Sequence, residues 1–172
     1  GLASSLICGS AATADFQGLD YKVTATNAIE GSENWTVDIY VVLSEGERLD
    51  AVAGDAVNNK VLGTSGSFYQ NPFGGPTSKQ INPALLPTFP SLAYDSWVTI
   101  GFRDLTNNNL NDIGIDWSTF EAGGDVFTVN GTWFVTPKDV QGEAISFTNQ
   151  NCESKFGVLV AQVTVYGLAE NI

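Results

Sequence analysis

The side chains of residues 104–116 are the ones whose types and spacing best suit a metal ion. Oxygen-bearing side chains recur there: Asp104, Thr106, Asn107, Asn108, Asn109, Asn111, Asp112 and Asp116. Calcium takes about six to eight oxygen ligands, so Asp104, Asn108 and Asp112 form a candidate calcium site. In an EF-hand loop beginning at Asp104, Asn109 would replace the glycine and Ile115 the bidentate glutamate, so that motif fails. Asparagine-rich loops also supply turn geometry without metal, and this alternative stays open.

Catalytic chemistry that needs histidine is excluded, because the chain contains no histidine. This removes Ser-His and Cys-His nucleophile pairs and every histidine-ligated metal. A pair of carboxylates can hydrolyse glycosides without histidine. Carboxylates occur along the whole chain: Asp38, Asp50, Asp55, Asp95, Asp116, Glu121 and Asp125. None of them lies in a distinctive motif, so we predict that the protein is not an enzyme.

The two cysteines, Cys8 and Cys152, lie near opposite ends of the chain. The absence of a CxxC motif argues against zinc binding and thioredoxin-like chemistry. In an oxidising compartment we expect the two cysteines to pair, within one chain or between two chains. Closing so long a loop contributes up to about 5 kcal/mol in the chain-entropy account of disulfides. In a cytosolic or virion protein both would instead be free thiols.

The charge of the chain is strongly acidic, with a net charge of −12 and seven scattered basic residues. No basic stripe exists to neutralise phosphates, so nucleic acid and anionic membranes are not expected partners. No apolar run approaches the roughly 20 residues that a membrane span requires. The hydrophobic content of 43% is high enough for a folded core in a single domain.

Hydrophobic alternation predicts strands throughout the chain and no amphipathic helix of ten residues or more. The predicted strands cover residues 19–28, 35–43, 48–53, 61–62, 67–70, 94–102, 126–129, 132–135, 144–148 and 157–166. The first two form a hairpin, and Asn130-Gly131 is the favoured type I′ pair for a second hairpin. Many short strands separated by turns are typical of an all-β antiparallel sandwich of jelly-roll or Ig-like type.

Residues 68–101, which we call the proline-rich segment, hold five of the six prolines and six aromatic residues. Proline removes a backbone donor, while the apolar content is too high for a linker. We therefore predict an ordered loop that packs over the β core; a partner-binding loop is the alternative. The four tryptophans Trp35, Trp97, Trp117 and Trp133 are candidates for sugar stacking, but their apolar strand contexts favour core packing.

Residues 1–14, GLASSLICGSAATA, form an uncharged and mildly apolar arm before the predicted sandwich of residues 15–172. Leu2, Leu6 and Ile7 are its large apolar side chains. Such a segment suits an extended strand added to a sheet edge. The edge can belong to the arm's own domain or, in donor-strand fashion, to a neighbouring subunit, and the sequence leaves both arrangements open.

Several stretches together resemble a known β-sandwich module. They are LDAVAGDAVN at residues 49–58, the whole proline-rich segment, IGIDWSTFEAGGD at 113–125 and NGTWFVTPKDVQG at 130–142. The module is an uncharacterised one found in secreted or surface proteins of marine bacteria, planctomycetes among them, and in structural proteins of marine phages. The resemblance implies an extracellular or virion building block. It implies no activity or catalytic residue, and it does not extend to residues 1–14.

The function predicted from these features is that of a non-enzymatic structural subunit. Copies of the chain would assemble into an extracellular filament, such as a pilus, or into a surface layer, by addition of the arm to a neighbour. A virion decoration or fibre protein is one alternative. A cell-surface module that binds a carbohydrate or calcium is another.

Overall fold

The structure is a computed structural model that describes residues 16–167. Its strands are β1 (Gly18–Thr26), β2 (Asn34–Leu43), β3 (Ala51–Gly54), β4 (Lys60–Leu62), β5 (Ser67–Phe68), β6 (Trp97–Val98), β7 (Asn111–Ile113), β8 (Val126–Thr128), β9 (Gly131–Phe134), β10 (Ile145–Thr148) and β11 (Ser154–Tyr166). Every pairing between these strands is antiparallel. The predicted all-β, sandwich-like fold class is therefore confirmed. The arm predicted for residues 1–14 lies outside the described residues.

The central sheet is organised around β11, a strand of 13 residues. One edge of β11 pairs with β2, and β1 continues the sheet beyond β2. The other edge is shared by three short strands, β10, β6 and β5. A long run rich in valine favours this fully covered position, because β-branched side chains pack well on a pleated surface.

The central sheet is covered on both faces. On one face, Val37 and Val41 of β2 and Val163 of β11 pack with Val126 and Trp133 of two small sheets, β4-β8 and β3-β9-β7. On the other face, a second cluster is formed by Tyr40, Val42, Ile81, Leu92, Trp97, Phe147 and Leu159. The sequence predicts β2 correctly, together with the alternation of its side chains, and the structure adds that its polar face is buried as well.

The proline-rich segment forms this second cover, as predicted. It contains three 3₁₀ helices, Ser78–Gln80, Pro83–Leu85 and Pro90–Tyr94. A proline stands in the first turn of the second and third helices. Proline suits that position because its ring fixes φ and the missing N–H has no partner there. The segment thus covers this face of the central sheet without long strands.

The predicted hairpin at Asn130-Gly131 is wrong. Both flanking strands exist, but β8 pairs with β4, and β9 pairs with β3 and β7. Neither Asn130 nor Gly131 has the positive φ that a type I′ turn requires. Glycine is needed at position 131 for a different reason. A Cβ atom there would lie 2.7 Å from the carbonyl oxygen of Gly114, which is too close.

The strand predicted for residues 94–102 is much shorter in the structure. Tyr94 ends a 3₁₀ helix, and only Trp97 and Val98 pair with β11 in the regular ladder. Beyond them, Gly101 adopts a φ of +76° and its amide still donates to the carbonyl oxygen of Leu159 at 2.8 Å. The apolar run is buried as predicted, but only Trp97 and Val98 form a regular strand.

Helices are few and short in the described part of the chain, as the alternation of residues predicts. The one α-helix, α1 (Ser118–Glu121), has four residues. None of the described helices has the length and apolar character needed to cross a membrane.

Candidate functional site

An apolar groove runs between the central sheet and the small sheets on the side where β1 is the edge strand. Two adjacent cavities, of about 440 and about 200 Å³, share Leu19, Ile39 and Leu62 as lining residues. We call them together the edge groove. Among its lining residues in the described part of the chain, Lys60 and Asp20 alone carry a charge. Grooves of this size and character are typical of sites for apolar ligands or segments.

The edge groove is open because the small sheets end before they cover β1. Leu19 and Tyr21 belong to the apolar face of β1, yet they are 67% and 45% exposed. Across the groove, Val61 of β4 is 57% exposed. The half-buried strand predicted here is therefore wrong for the first half of β1. Contiguous exposed apolar surfaces in proteins are often interaction sites.

Part of the outer edge of β1 is already paired with the turn between β10 and β11. The amide of Gln150 donates to the carbonyl oxygen of Tyr21 at 3.0 Å, and its side-chain Oε1 accepts from the amide of Val23 at 2.9 Å. Gln150 thus imitates one residue of an added strand. A further segment that pairs with the edge of β1 beside Leu19 would lie next to the edge groove, which Leu19 lines.

Asp20 anchors the same turn to β1. Its Oδ2 accepts from Lys155 Nζ at 2.6 Å and from Asn149 Nδ2 at 2.9 Å. The hydrogen bonds from Lys155 and Asn149 hold the pKa of Asp20 below its usual value. The carboxylate therefore remains charged and paired at neutral pH.

Cys152 lies in this turn, where it is exposed and has a φ of +63°. Its predicted partner, Cys8, lies outside the described residues, so the Cys8–Cys152 disulfide stays a prediction. The position of Cys152 is nevertheless informative. It follows Gln150 by two residues, so its thiol belongs to the turn that bonds to β1 at Tyr21 and Val23.

The three candidate calcium ligands are engaged in other interactions. Asp104 Oδ1 accepts from the amide of Thr106 at 2.7 Å, which forms a local turn. Asn108 is buried, and its Oδ1 accepts from the amide of Leu110 and from Gln141 Nε2 at 3.0 and 3.1 Å. These bonds confirm the turn-forming interpretation for Asp104 and Asn108, while the calcium site stays a prediction.

Asp112, the third candidate, accepts at Oδ1 from the indole N–H of Trp117 at 3.0 Å. Within residues 16–167, no three His, Cys, Asp or Glu side chains come together as a group that would hold a metal ion.

A buried ion pair on β2 escapes the sequence analysis. Asp38 is 1% exposed and pairs with Arg103 Nη2, while Arg103 Nη1 donates to Gln162 Oε1 at 3.2 Å. Burial raises the pKa of Asp38, and the guanidinium of Arg103 partly opposes this shift. The position of Asp38 in the middle of a predicted strand was the one indication in the sequence. Its burial became evident only in the structure, where the proline-rich segment covers that face of β2.

The tryptophans divide into two classes. Trp97 and Trp133 are 2% and 5% exposed, so their predicted role in core packing is confirmed. Trp35 and Trp117 are half-buried and pack against the first core. Trp117 alone of the four also lines a polar surface cleft.

Comparison of the chain with models of protein families, with curated proteins and with solved structures gave no match. The resemblance to a marine surface module therefore stays a hypothesis.

Proposed function

We propose that this protein is a non-enzymatic structural subunit that assembles with copies of itself into an extracellular filament or surface layer. Residues 1–14 of one copy enter the edge groove of the next. The open apolar groove beside β1 is the observation that carries this proposal. A contact between two different surfaces of the same chain repeats without closing on itself, so it generates a filament.

The chemistry of the arm complements that of the edge groove. Residues 1–14 carry no charge, and Leu2, Leu6 and Ile7 provide aliphatic side chains for an aliphatic lining. Two copies that each carry a net charge of −12 repel one another. An uncharged arm is the part of the chain that approaches a second copy with the least electrostatic cost.

The expected strength of a single contact is modest. Burial of three aliphatic side chains contributes about 5 to 9 kcal/mol. Association opposes this with a cost of about 4 to 15 kcal/mol. Main-chain pairing beside Leu19 and a disulfide from Cys8 of one copy to Cys152 of the next would supply the remainder. Cys152 lies in the turn that bonds to β1, the strand at whose edge the arm would pair.

Electron microscopy of the full chain beside a variant that lacks residues 1–14 tests the proposal. We expect polymers from the full chain and folded monomers from the truncated variant, because the groove then has no partner segment. A synthetic peptide of residues 1–14, with Cys8→Ser, should bind the truncated variant one to one. Polymers that persist after truncation would contradict the proposal, and so would monomers from both proteins.

A further inference from the structure

A second concave site lies between the 3₁₀ helix Ser78–Gln80 and β7, and it does not share residues with the edge groove. This polar cleft has a volume of about 310 Å³ and is lined by Lys79, Gln80, Asn111, Asp112 and Trp117, together with Pro76, Thr77 and Leu110. The first five side chains are two planar amides, a carboxylate, an ammonium group and an indole. The proposed assembly function makes no use of this cleft.

Trp117 lines the polar cleft, and contacts with neighbouring side chains fix the position of its ring. Its indole N–H donates to Asp112 Oδ1 at 3.0 Å, and its ring centroid lies 6.4 Å from those of Phe120 and Trp133. The ring is half-buried, so part of it remains accessible from the cleft. A ligand that packs on this indole meets a fixed ring and pays little entropy to order it.

The polar groups around Trp117 are also oriented in advance. Gln80 Oε1 accepts from the amide and the hydroxyl of Thr77, each at 3.1 Å. Within residues 16–167, Gln80 Nε2 and Asp112 Oδ2 make no hydrogen bond with the protein. Two residues that line the cleft thus keep an unpaired donor, Gln80 Nε2, and an unpaired acceptor, Asp112 Oδ2.

Lys79 lines the polar cleft, but its ammonium group is already engaged in a hydrogen bond. Its ammonium group donates to the carbonyl oxygen of Leu110 at 2.9 Å, which joins the proline-rich segment to the residue before β7. Asp112 carries the opposite charge in the same cleft. A phosphate or a polyuronate would meet one engaged lysine, one carboxylate and a strongly acidic protein, so anionic ligands are disfavoured.

We infer that the polar cleft binds a neutral oligosaccharide. One face of a sugar ring is made of C–H groups, which pack on an indole, while each hydroxyl both donates and accepts. Asp112 and Gln80 supply the acceptor and the donor that neighbouring hydroxyls require. The volume is at the lower end of the roughly 300 to 1,000 Å³ that ligand pockets span, which suits recognition of one ring of a longer chain.

Nuclear magnetic resonance of the tryptophan indole N–H signals tests this inference on the chain carrying Leu19→Lys, a substitution in the edge groove and outside the polar cleft that should keep the subunits monomeric. Cellotetraose, xylotetraose, laminaritetraose and mannotetraose are titrated separately to millimolar concentration. At least one of them is expected to shift the Trp117 indole signal, assigned by its loss in Trp117→Phe. No shift with any of the four sugars would overturn the inference, and so would shifts confined to other tryptophans.

Two variants separate recognition from folding. Asp112→Asn keeps an oxygen for the indole of Trp117 but replaces the second oxygen with a donor, so we expect about tenfold weaker binding. Gln80→Glu keeps an oxygen for Thr77 but removes the Nε2 donor, so it should weaken binding about fivefold. Trp35→Phe, which alters a half-buried tryptophan outside the cleft, is the matched control and should bind normally. Unchanged affinity in both cleft variants would overturn the inference, even if the loss of the arm abolishes assembly.

Discussion

Replacement of Leu19 by lysine is expected to abolish assembly while the subunit stays folded. Leu19 is 67% exposed, so the change should alter the free energy of unfolding by only about 0.5 kcal/mol. The same residue lines both cavities of the edge groove. A docked arm would bury an unpaired ammonium group there, and an unfavourable contribution of about 3 kcal/mol lowers the association constant more than a hundredfold.

Ile113→Lys is the matched control for Leu19→Lys. Ile113 is 66% exposed and also lies in an edge strand, but it belongs to β7 and does not line the edge groove. Sedimentation velocity of the two variants should show monomers for Leu19→Lys and wild-type polymers for Ile113→Lys. Equal loss of assembly in both would indicate a general effect of added charge, and normal assembly of Leu19→Lys would place the contact elsewhere.

Stability is expected to fall as the pH rises from about 4 to about 7, because of one buried carboxyl group. Asp95 is 0% exposed, and its oxygens accept from the amides of Asn71 at 2.6 Å and Gly75 at 3.1 Å. Burial raises its pKa from 3.8 to about 7, although the two amides oppose the shift. The folded state therefore retains a proton that the unfolded state releases.

The sign and the size of this effect follow from proton linkage. Because the pKa of Asp95 is higher in the folded state, its contribution is fully present below about pH 4 and lost as the pH rises through about 7. The slope is at most about 1.4 kcal/mol per pH unit, so the total is about 4 kcal/mol. Asp95 accepts hydrogen bonds from Asn71 and Gly75 near the start of the proline-rich segment, so we expect this segment to lose its contacts first as the pH rises.

Urea unfolding of the wild type and of Asp95→Asn between pH 4.5 and 7.5 measures this contribution. Asparagine has one acceptor oxygen for two amides, so the variant should be about 1 to 3 kcal/mol less stable at pH 4.5. Asparagine does not titrate, so the difference should shrink or reverse by pH 7.5. Parallel stability curves for the two proteins would contradict the raised pKa of Asp95.

Asp116→Asn is the control for this experiment. The amide of Ser118 donates to the exposed Asp116 and holds its pKa below the usual value. Asp116 is therefore ionised in both states throughout this pH range. Its replacement should leave the pH dependence of the wild type unchanged.

Local pattern was sufficient for strands whose pairing partners are also local. The alternation of residues 35–43 predicts β2, and the turn before it predicts the hairpin with β1. The same reasoning fails at Asn130-Gly131, because the partners of β8 and β9 come from β4, β3 and β7. A favourable turn pair stabilises a hairpin by a small amount, and ladders and core contacts elsewhere in the sheet outweigh it.

The edge groove was not predictable from any single stretch. Its walls combine residues of β1, β2, β3, β4 and β11, which are far apart in the sequence. Whether Leu19 is covered depends on where the small sheets end over the central sheet. The buried carboxyl groups of Asp38 and Asp95 were missed for a related reason. Asp38 lies on the face of β2 that the proline-rich segment covers, and Asp95 lies within that segment, bonded to amides 24 and 20 residues away.

The sequence by itself determined the all-β class, the individual strands with strong alternation, the ordered proline-rich cover and the unusual character of residues 1–14. These follow from the period of the side chains and from the conformational limits of proline, which act within a few residues. Tertiary structure alone decided which strands pair, which carboxylates are buried and where an apolar face stays open. Those properties depend on where the layers meet, and the edge groove is open where the small sheets end before they cover β1.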